Sequence, residues 1–399
     1  MKVLFLFNQL LVEEFSSGGD VKGFTIFEEA MHDESLHPGV MCSAVAKKSF
    51  SVADKYLVGN SFVESIFDRK FVPFIFVLYF FRAIEAISLL SKVSTNVIYT
   101  TGDFFCNVLP AYKYKKNNPA VIWCACVYHI NESPFNRKSN FFLRSLISYL
   151  MQKYSFSLIK KKADLIFVLN EGVKKSLINL GFKNKIVVSG LGLNTSEIKN
   201  KVNSYSKSDF KYKNSNLVFF NRVNPTKGVF DLPKILSEVK LSHSDAYLHI
   251  IGSVDPSIKN KLNVEFAALS CENSYKFHGF LPKNDVYKII SESKVFLQTS
   301  YEEGWSLVLF EGIMCRTIPV VYDLPVYREV FKNTLNIAPL GDIAAFVNLI
   351  NEVLDLNKSE YEKTLHDCYT IAASYDNKQV YEKEKLAIES LKNERIIKA

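Results

Sequence analysis

The sequence predicts an α/β protein built from two parallel sheets with helices on both faces. Short apolar runs of strand character alternate with helical patterns along the chain: "KVLFLF", "NVIYT" and "DLIFVLN" in the first half, "NLVFFN", "KVFLQTS" and "TIPVVYD" in the second. The chain has 399 residues, of which 48% are apolar, which is enough to build two domains with a core each.

The domain boundaries follow from where this alternation is interrupted. A polar stretch rich in Ser, Lys and Asn separates the two series of strands. We therefore expect an N-terminal domain over residues 1–195, a linker over 196–215 and a C-terminal domain over 216–376. Residues 377–399 alternate charged and apolar side chains and predict one helix, which we expect to pack back toward the N-terminal domain.

Cysteine usage and hydropathy indicate the compartment. The seven cysteines are irregularly spaced, which argues against a disulfide framework and favours a reduced, cytoplasmic setting. Cys124 and Cys126 lie in an apolar run and are expected on a buried strand. The first residues, "MKVLFLFNQLL", lack a cleavage site and predict a first strand rather than a signal peptide. The most apolar run, Phe71 to Phe81, has 11 residues, whereas a membrane-spanning helix needs about 20.

The positive charge is concentrated in the first half of the chain. Residues 1–200 hold 24 Lys and Arg against 16 Asp and Glu, which accounts for the whole net charge of +8. The segment Arg137 to Lys162 has seven basic residues, no acidic one and several aromatic residues. Such a basic amphipathic helix suits an anionic membrane surface, although a core-facing helix with solvated lysines explains it too. No recognition motif accompanies the charge, so nucleic acid is not expected as a partner.

In the stretch "EEGWSLVLFEG", the carboxylates Glu303 and Glu311 lie on either side of an apolar segment. Gly304 ends the preceding strand, and Ser306 is a candidate N-cap for a helix that contains Glu311. The N-terminus of a helix presents unpaired N–H groups and a positive dipole end, which suit a phosphate. Carboxylates on both sides can accept hydrogen bonds from sugar hydroxyls, so the pattern suits a sugar–diphosphate–nucleoside.

A basic loop follows the first strand of the second series. It reads "RVNPTKG" and holds Arg222 and Lys227. Arginine can grip a diphosphate with two parallel hydrogen bonds, and lysine adds a point charge. Ligands of parallel sheets bind at the carboxyl ends of the strands, so this loop and the two glutamates are expected at one edge.

These residues resemble the retaining GT-B glycosyltransferases of family 4. The similarity lies in "NRVNPTKGVFDL" and, about 75 residues later, "SYEEGWSLVLFEGIMCRTIPVVYDLPVYREV". It implies the GT-B fold, in which two Rossmann-like α/β domains face each other across a cleft. In that family an Arg and a Lys hold the donor diphosphate, which corresponds to Arg222 and Lys227. The first Glu of the E-x7-E motif contacts the transferred sugar and the second holds the ribose, which correspond to Glu303 and Glu311.

The resemblance extends to other loops. "SSGGD" is similar to the Gly-rich loop after the first strand, and His129 stands where the family often has a histidine near the sugar. His129 therefore joins Arg222, Lys227 and Glu303 as a candidate catalytic residue. The donor-binding residues that the resemblance implies are Gly18, Gly19, Gly252, Phe280, Gly304, Trp305, Ser306, Leu307 and Glu311.

Some positions depart from the family pattern. Ser306 stands where Gly is commonest and Trp305 where Phe is, and both are compatible with binding through backbone N–H groups. Arg316 replaces a glycine at the end of the helix that holds Glu311, so we expect either a left-handed backbone strained by about 1 kcal/mol or a turn reshaped by the extra residue before Pro319. No D-x-D occurs in the sequence, so neither a metal nor any other cofactor is expected.

Together these features predict a retaining, metal-independent hexosyltransferase (EC 2.4). We expect a nucleotide-diphosphate sugar as donor and a glycan or lipid-linked glycan as acceptor, in the synthesis of a bacterial surface polysaccharide such as O-antigen, capsule or lipopolysaccharide. The enzyme is expected in the cytoplasm, peripheral on the inner face of the plasma membrane. The alternatives are a non-catalytic glycosyltransferase-like partner subunit and a sugar-nucleotide 2-epimerase. A dinucleotide oxidoreductase is disfavoured, because no G-x-G-x-x-G follows the first strand.

Overall fold

A computed structural model of the chain describes residues 1–11, 18–59, 72–131, 133, 142–205 and 214–398. The chain divides into two compact units. The first comprises Met1–Gly192 together with Asn377–Ala399, and the second comprises Leu193–Asp376. Each unit is built on one parallel sheet, so the predicted class of two Rossmann-like α/β domains is confirmed.

The first unit has a seven-stranded sheet in the order β3-β2-β1-β4-β5-β6-β7. All neighbouring strands are parallel. The chain reverses its direction of winding between β1 and β4, the point at which such sheets bind ligands. The strands are β1 (Lys2–Phe7), β2 (His37–Ser43), β3 (Lys55–Val58), β4 (Val97–Thr100), β5 (Ile122–Val127), β6 (Leu165–Val168) and β7 (Lys185–Val188).

The helices of the first unit connect these strands and cover the sheet. The C-terminal tail, predicted as one helix, is the last of them and belongs to this unit. The helices are Gly18–Met31, the 3-10 helix Ala44–Ser49, Val72–Leu90, Phe105–Asn117, Phe142–Lys162, Glu171–Asn179 and Asn377–Lys398.

The second unit has a six-stranded sheet in the order β10-β9-β8-β11-β12-β13. Its winding reverses between β8 and β11, which pair in parallel. The loops that follow these two strands therefore leave the same edge of the sheet side by side. The strands are β8 (Asn216–Phe220), β9 (Tyr247–Ile251), β10 (Tyr275–Gly279), β11 (Val295–Gln298), β12 (Ile318–Tyr322) and β13 (Asn336–Ala338).

The helices of the second unit begin inside the segment predicted as a linker. Residues 196–205 of that segment belong to the helix Thr195–Tyr205 of the second unit, whereas 206–213 lie outside the described residues. The expectation of a linker over all of 196–215 is wrong for its first half, because Ile198 and Val202 are buried on one face of that helix. The helices are Thr195–Tyr205, the 3-10 helices Pro225–Lys227 and Val229–Asp231, Leu232–Ser242, Pro256–Ala268, Lys283–Glu292, Leu307–Met314, Pro325–Phe331, Ile343–Asp355 and Lys358–Ala373.

The central strands are buried on both faces, as continuous apolar runs predict. Every residue of β5 is buried, including Cys124 and Cys126, and all seven cysteines are buried free thiols. In the described parts of the chain, no helix is both long and apolar enough to cross a membrane.

Candidate active site

Two glycines let the loops after β8 and β9 approach neighbouring backbone closely. Gly228 has φ +68°, and a Cβ there would lie 1.9 Å from the carbonyl oxygen of Thr299. Gly252, after β9, has φ +138°, and a Cβ would lie 1.9 Å from the carbonyl oxygen of Asn221. The loops after β8, β9 and β11 are therefore in backbone contact at one edge of the sheet.

This edge brings Lys227 and Glu303 together. The Lys227 Nζ lies 2.6 Å from Glu303 Oε1, and the two side chains are 11% and 9% exposed. The pair is supported by hydrogen bonds between the loops, from Tyr301 N–H to the Thr226 carbonyl at 3.0 Å and from the Thr299 hydroxyl to the Lys227 carbonyl at 2.9 Å. The sequence predicted both residues for the site, and the structure places them in direct contact.

Arg222 lies in the same loop with its side chain exposed. Its backbone N–H donates to the Asn221 side-chain oxygen at 3.0 Å. Lys227 is nearly buried beside the carboxylate of Glu303, whereas the Arg222 guanidinium faces solvent. The two basic residues therefore offer one positive charge that is paired with a carboxylate and one that is exposed.

The helix Leu307–Met314 starts just after Glu303, as predicted, but its first residue is preceded by an unusual backbone. Ser306 is the N-cap residue of this helix, as predicted, but it has φ +72° and its side chain makes no capping hydrogen bond. Its hydroxyl lies 3.0 Å from the side-chain nitrogen of Gln298 instead. A left-handed backbone favours glycine, and this explains why Gly is the commonest residue at this position in the resembling family.

The two residues before Ser306 differ in what they can offer a ligand. Gly304 is exposed, and a Cβ there would meet open space. Trp305 is 4% exposed and stacks on Phe310 with ring centroids 5.3 Å apart. The Trp305 side chain therefore belongs to the core of this unit, and only its backbone is available for donor binding. Leu307, which opens the helix, is partly exposed.

Glu311 lies one turn into this helix and is held by the neighbouring helix Lys283–Glu292. The Tyr287 hydroxyl donates to Glu311 Oε1 at 2.9 Å, and the Lys283 Nζ lies 3.5 Å from the same oxygen. Burial, together with the charge of Glu311, raises the pKa of Tyr287. Tyr287 therefore remains a hydrogen-bond donor that fixes the carboxylate.

Phe280 follows β10 and is 85% exposed. It comes directly after Gly279, whose φ is +70°. An aromatic ring in this position is available for stacking on a planar ligand. Its role in donor binding stays a prediction.

The predicted site residues of the first unit lie at the ends of β1 and β5. A Cβ on Gly19 would lie 2.6 Å from the Tyr128 ring, so the helix Gly18–Met31 begins in close contact with the residue before His129. The His129 side chain is exposed. Gly18 has more room, since its nearest neighbour would be Leu191 at 3.8 Å. Ser16 and Ser17 of the Gly-rich loop lie outside the described residues.

Gln152, on the helix Phe142–Lys162, ties the loop that carries His129 to the loop after β4. Its side-chain nitrogen donates to the His129 carbonyl at 2.8 Å and to Asp103 Oδ2 at 2.7 Å, while its oxygen accepts from Asn131 N–H at 2.8 Å. Burial raises the pKa of Asp103 to about 6, although the bond from Gln152 opposes the shift. This carboxyl group was not anticipated from the sequence.

The site residues that sequence analysis missed are Gln298, Tyr287, Lys283, Gln152 and Asp103. Only Gln298 and Asp103 carried a signal, because each is a polar residue at or just beyond the carboxyl end of a predicted strand. The others sit on helices, where no spacing distinguishes them from solvated surface residues.

The turn after the helix Leu307–Met314 has the left-handed backbone that was predicted for Arg316. Arg316 has φ +62°, in the left-handed region. Its guanidinium pairs with Glu362 on the helix Lys358–Ala373.

A family model described as glycosyl transferases group 1 matches residues 183–372. This range holds Arg222, Lys227, Glu303 and Glu311. No curated protein sequence matches the chain.

Solved structures of similar fold cover almost the whole chain. Alr3699/HepE from Anabaena, solved in complex with UDP and glucose, is 14% identical, with a TM-score of 0.70 over 98% of this chain and 100% of that one. Sucrose-phosphate synthase from Thermosynechococcus elongatus is 12% identical, with a TM-score of 0.74 over 98% of both chains. The lipopolysaccharide outer core galactosyltransferase WaaB is 16% identical, with a TM-score of 0.65 over 98% of this chain and 99% of that one.

The TM-scores of 0.65–0.74 establish a shared GT-B fold. Residues 183–372 are in addition similar in sequence to the glycosyl transferases group 1.

Proposed function

We propose that the protein is a retaining glycosyltransferase that moves a hexosyl group from a nucleotide-diphosphate sugar to a glycan or lipid-linked glycan. One observation carries the proposal: Lys227 and Glu303 are in contact beside the N-terminus of the helix Leu307–Met314, and Glu311 lies one turn further on. A cation and a helix N-terminus suit the diphosphate. The two carboxylates suit the hydroxyls of the sugar and of the ribose.

The chemistry follows from where negative charge develops. Transfer breaks the bond between the anomeric carbon and the diphosphate oxygen, and that oxygen gains charge. Arg222, Lys227 and the helix dipole stabilise it. In front-face attack the acceptor hydroxyl forms the new bond on the same side and passes its proton to the departing phosphate, so no protein nucleophile is needed. We propose that these charges act without a metal ion.

Donor binding would then redistribute the charges of the site. Lys227 is paired with Glu303. Contact between Lys227 and the diphosphate would release Glu303 to accept hydroxyls of the sugar. His129, Gly18 and Gly19 are the residues of the first unit that we propose for the sugar and acceptor side of the reaction.

The donor is tested first by binding. Several similar structures were solved with UDP, UDP-glucose or an analogue, so UDP-sugars head a thermal-shift panel that also includes GDP- and ADP-sugars. A bound donor raises the apparent stability by mass action. Raised stability with no transfer to any glycan acceptor would instead favour a non-catalytic partner subunit, and no response from the whole panel would contradict the proposal.

Stereochemistry and metal dependence are tested on the active enzyme. NMR of the first product formed should show the anomeric configuration of the donor. Activity should persist in EDTA. Inversion at the anomeric carbon, or activity lost to EDTA and restored by Mn²⁺, would refute the corresponding part of the proposal.

We also propose that the enzyme works at the inner face of the plasma membrane in surface-polysaccharide synthesis. The support is the helix Phe142–Lys162, where Leu143, Leu150 and Tyr154 are half-exposed or more. Its last turn carries exposed lysines. The helix also serves the core, because Phe156, Leu158 and Ile159 are buried. Residues 137–141 of the predicted basic segment lie outside the described residues.

Charge reversal tests this attachment. Lys161→Glu with Lys162→Glu should weaken binding to vesicles that contain phosphatidylserine by about tenfold or more, since each basic residue near an anionic surface contributes about 1 kcal/mol. Lys160 is left unchanged because it donates to the Leu180 carbonyl. Donor affinity should not change. Wild-type protein that ignores these vesicles at low salt would refute the membrane proposal and leave the glycosyltransferase proposal intact.

A further inference from the structure

A buried amide lies behind the Lys227–Glu303 pair. Gln298, the last residue of β11, is 1% exposed. Its Nε2 lies 3.0 Å from each of four oxygens, which belong to Ser300, Glu303, Ser306 and Tyr327. Its Oε1 is buried and has no hydrogen-bond partner within the described part of the chain.

The orientation of this amide is fixed by its surroundings. If the side chain were flipped, its carbonyl oxygen would face the Glu303 carboxylate at hydrogen-bond distance, and two acceptors would repel each other. The NH₂ group must therefore point at Glu303. Since it has only two protons for four oxygens, the hydroxyl groups must also act as donors, as Ser300 does to Glu303 Oε1 at 2.9 Å.

The two ends of this amide have opposite effects on stability. A buried amide oxygen without a partner destabilises the folded state. The Nε2 group offsets this cost through its contacts with the four oxygens. Methionine, which has a similar shape, would remove both the unpartnered oxygen and the donor to Glu303.

All the bonds to Glu303 fall on one oxygen. Oε1 accepts from Lys227 at 2.6 Å, Gln298 at 3.0 Å and Ser300 at 2.9 Å. This leaves Oε2 available for a ligand. When Lys227 turns to the diphosphate, the two neutral donors are the ones that remain on Oε1.

From this geometry we infer that Gln298 is a positioning residue: with Ser300, it holds the Glu303 carboxylate in place for the transferred sugar after Lys227 has engaged the diphosphate. The inference rests on the proposed function. It assigns Gln298 to recognition of the sugar and not of the nucleotide, because Gln298 touches Glu303 but has no bond to Arg222, Lys227 or Glu311 among the described residues.

The test compares two ligands that differ only in the sugar. Binding of UDP and of UDP-glucose is measured by calorimetry for the wild type and for Gln298→Met. UDP affinity should stay within about twofold, whereas UDP-glucose affinity should fall about tenfold, the effect of one hydrogen bond to a charged group. The kcat for transfer should fall as well.

Two controls separate positioning from a general effect on the fold. Thr317→Val removes a fully buried hydroxyl, which donates to the Ile290 carbonyl at 2.7 Å. It should not change the affinity for UDP-glucose relative to that for UDP. Ser300→Ala removes the second neutral donor to Glu303 and should reproduce the selective loss for UDP-glucose.

The outcomes distinguish this inference from the proposed function. If the wild type binds both ligands and Gln298→Met loses affinity for both equally, or for neither, the positioning role is refuted while the proposed function stands. If the wild type binds neither ligand, nor any pair of GDP or ADP with its sugar, the proposed function fails and this inference fails with it.

Discussion

Removal of the Glu384 carboxylate should strongly destabilise the first unit. Glu384 lies on the C-terminal helix Asn377–Lys398 and is 1% exposed, as is its partner Lys22. Their charged groups are 2.7 Å apart. The carboxylate also accepts from the hydroxyls of Tyr99 and Ser189, each at 2.6 Å. The network thus joins the C-terminal helix to β4, to the residue after β7 and to the helix that begins at Gly18.

The magnitude follows from what Glu384→Leu leaves behind. The Lys22 ammonium would be buried without its counter-charge, and the Tyr99 hydroxyl would lose its acceptor. Breaking one partner of a buried ion pair costs about 3–5 kcal/mol. Replacing both, as Lys22→Met with Glu384→Leu, removes the uncompensated charge, so the double variant should recover most of the loss.

The assay uses the two tryptophans, because one lies in each unit. Trp123 is fully buried in β5 of the first unit, and Trp305 lies in the second. In a Trp305→Phe background, fluorescence during urea unfolding reports the first unit alone. Glu394→Leu is the matched control, because its pair with Lys185 is 50% and 42% exposed and should be worth less than about 1 kcal/mol.

Two results would refute this reasoning. One is a Glu384→Leu protein within about 1 kcal/mol of its parent. The other is a double variant as unstable as the sum of its two single variants, which would mean that no charge coupling exists.

Four further predictions concern the site and the backbone. Glu311→Gln should weaken nucleotide-sugar binding by about 1–3 kcal/mol in calorimetry, and unchanged affinity would contradict a ribose contact. Arg222→Ala should lower turnover by about 100-fold without a change in melting temperature, because the side chain is exposed. Burial raises the pKa of Asp103 to about 6, so the free energy of unfolding should fall as pH rises from about 4 to 6. Asp103→Asn should be more stable than the wild type at pH 8, by up to about 3 kcal/mol, but not at pH 4. Arg316 has φ +62°, so Arg316→Gly should have a free energy of unfolding in urea about 1 kcal/mol higher than Arg316→Ala. Lys288 lies within a helix, so Lys288→Gly should instead be less stable than Lys288→Ala.

The sequence by itself determined the class of fold and the location of the donor loops. Parallel strands covered on both faces are apolar along almost their whole length, so β5 and β11 can be recognised in the sequence as uninterrupted apolar runs. Ligand-binding residues must follow the carboxyl ends of such strands. For that reason Lys227 and Glu303 could be assigned to one edge before any distance was known. The left-handed turn at Arg316 was predicted from the resemblance, because the family usually has glycine at that position.

The sequence predicted the backbone conformation at Ser306 and over residues 196–215 less well. Ser306 reads as an N-cap because serine is common there, but the turn holds it at φ +72°, where its hydroxyl meets Gln298. The polar composition of 196–215 suggested a linker, although Ile198 and Val202 are enough to bury one face of a helix.

Only the tertiary structure decided which side chains meet. Lys227 and Glu303 are 76 residues apart, and Lys22 and Glu384 are 362 apart. Their contact depends on the order of strands in each sheet and on the return of the C-terminal helix to the first unit. Composition and spacing report the local preference of each segment. An ion pair or a buried amide such as Gln298 is defined by angstrom-scale packing between segments, which no local pattern encodes.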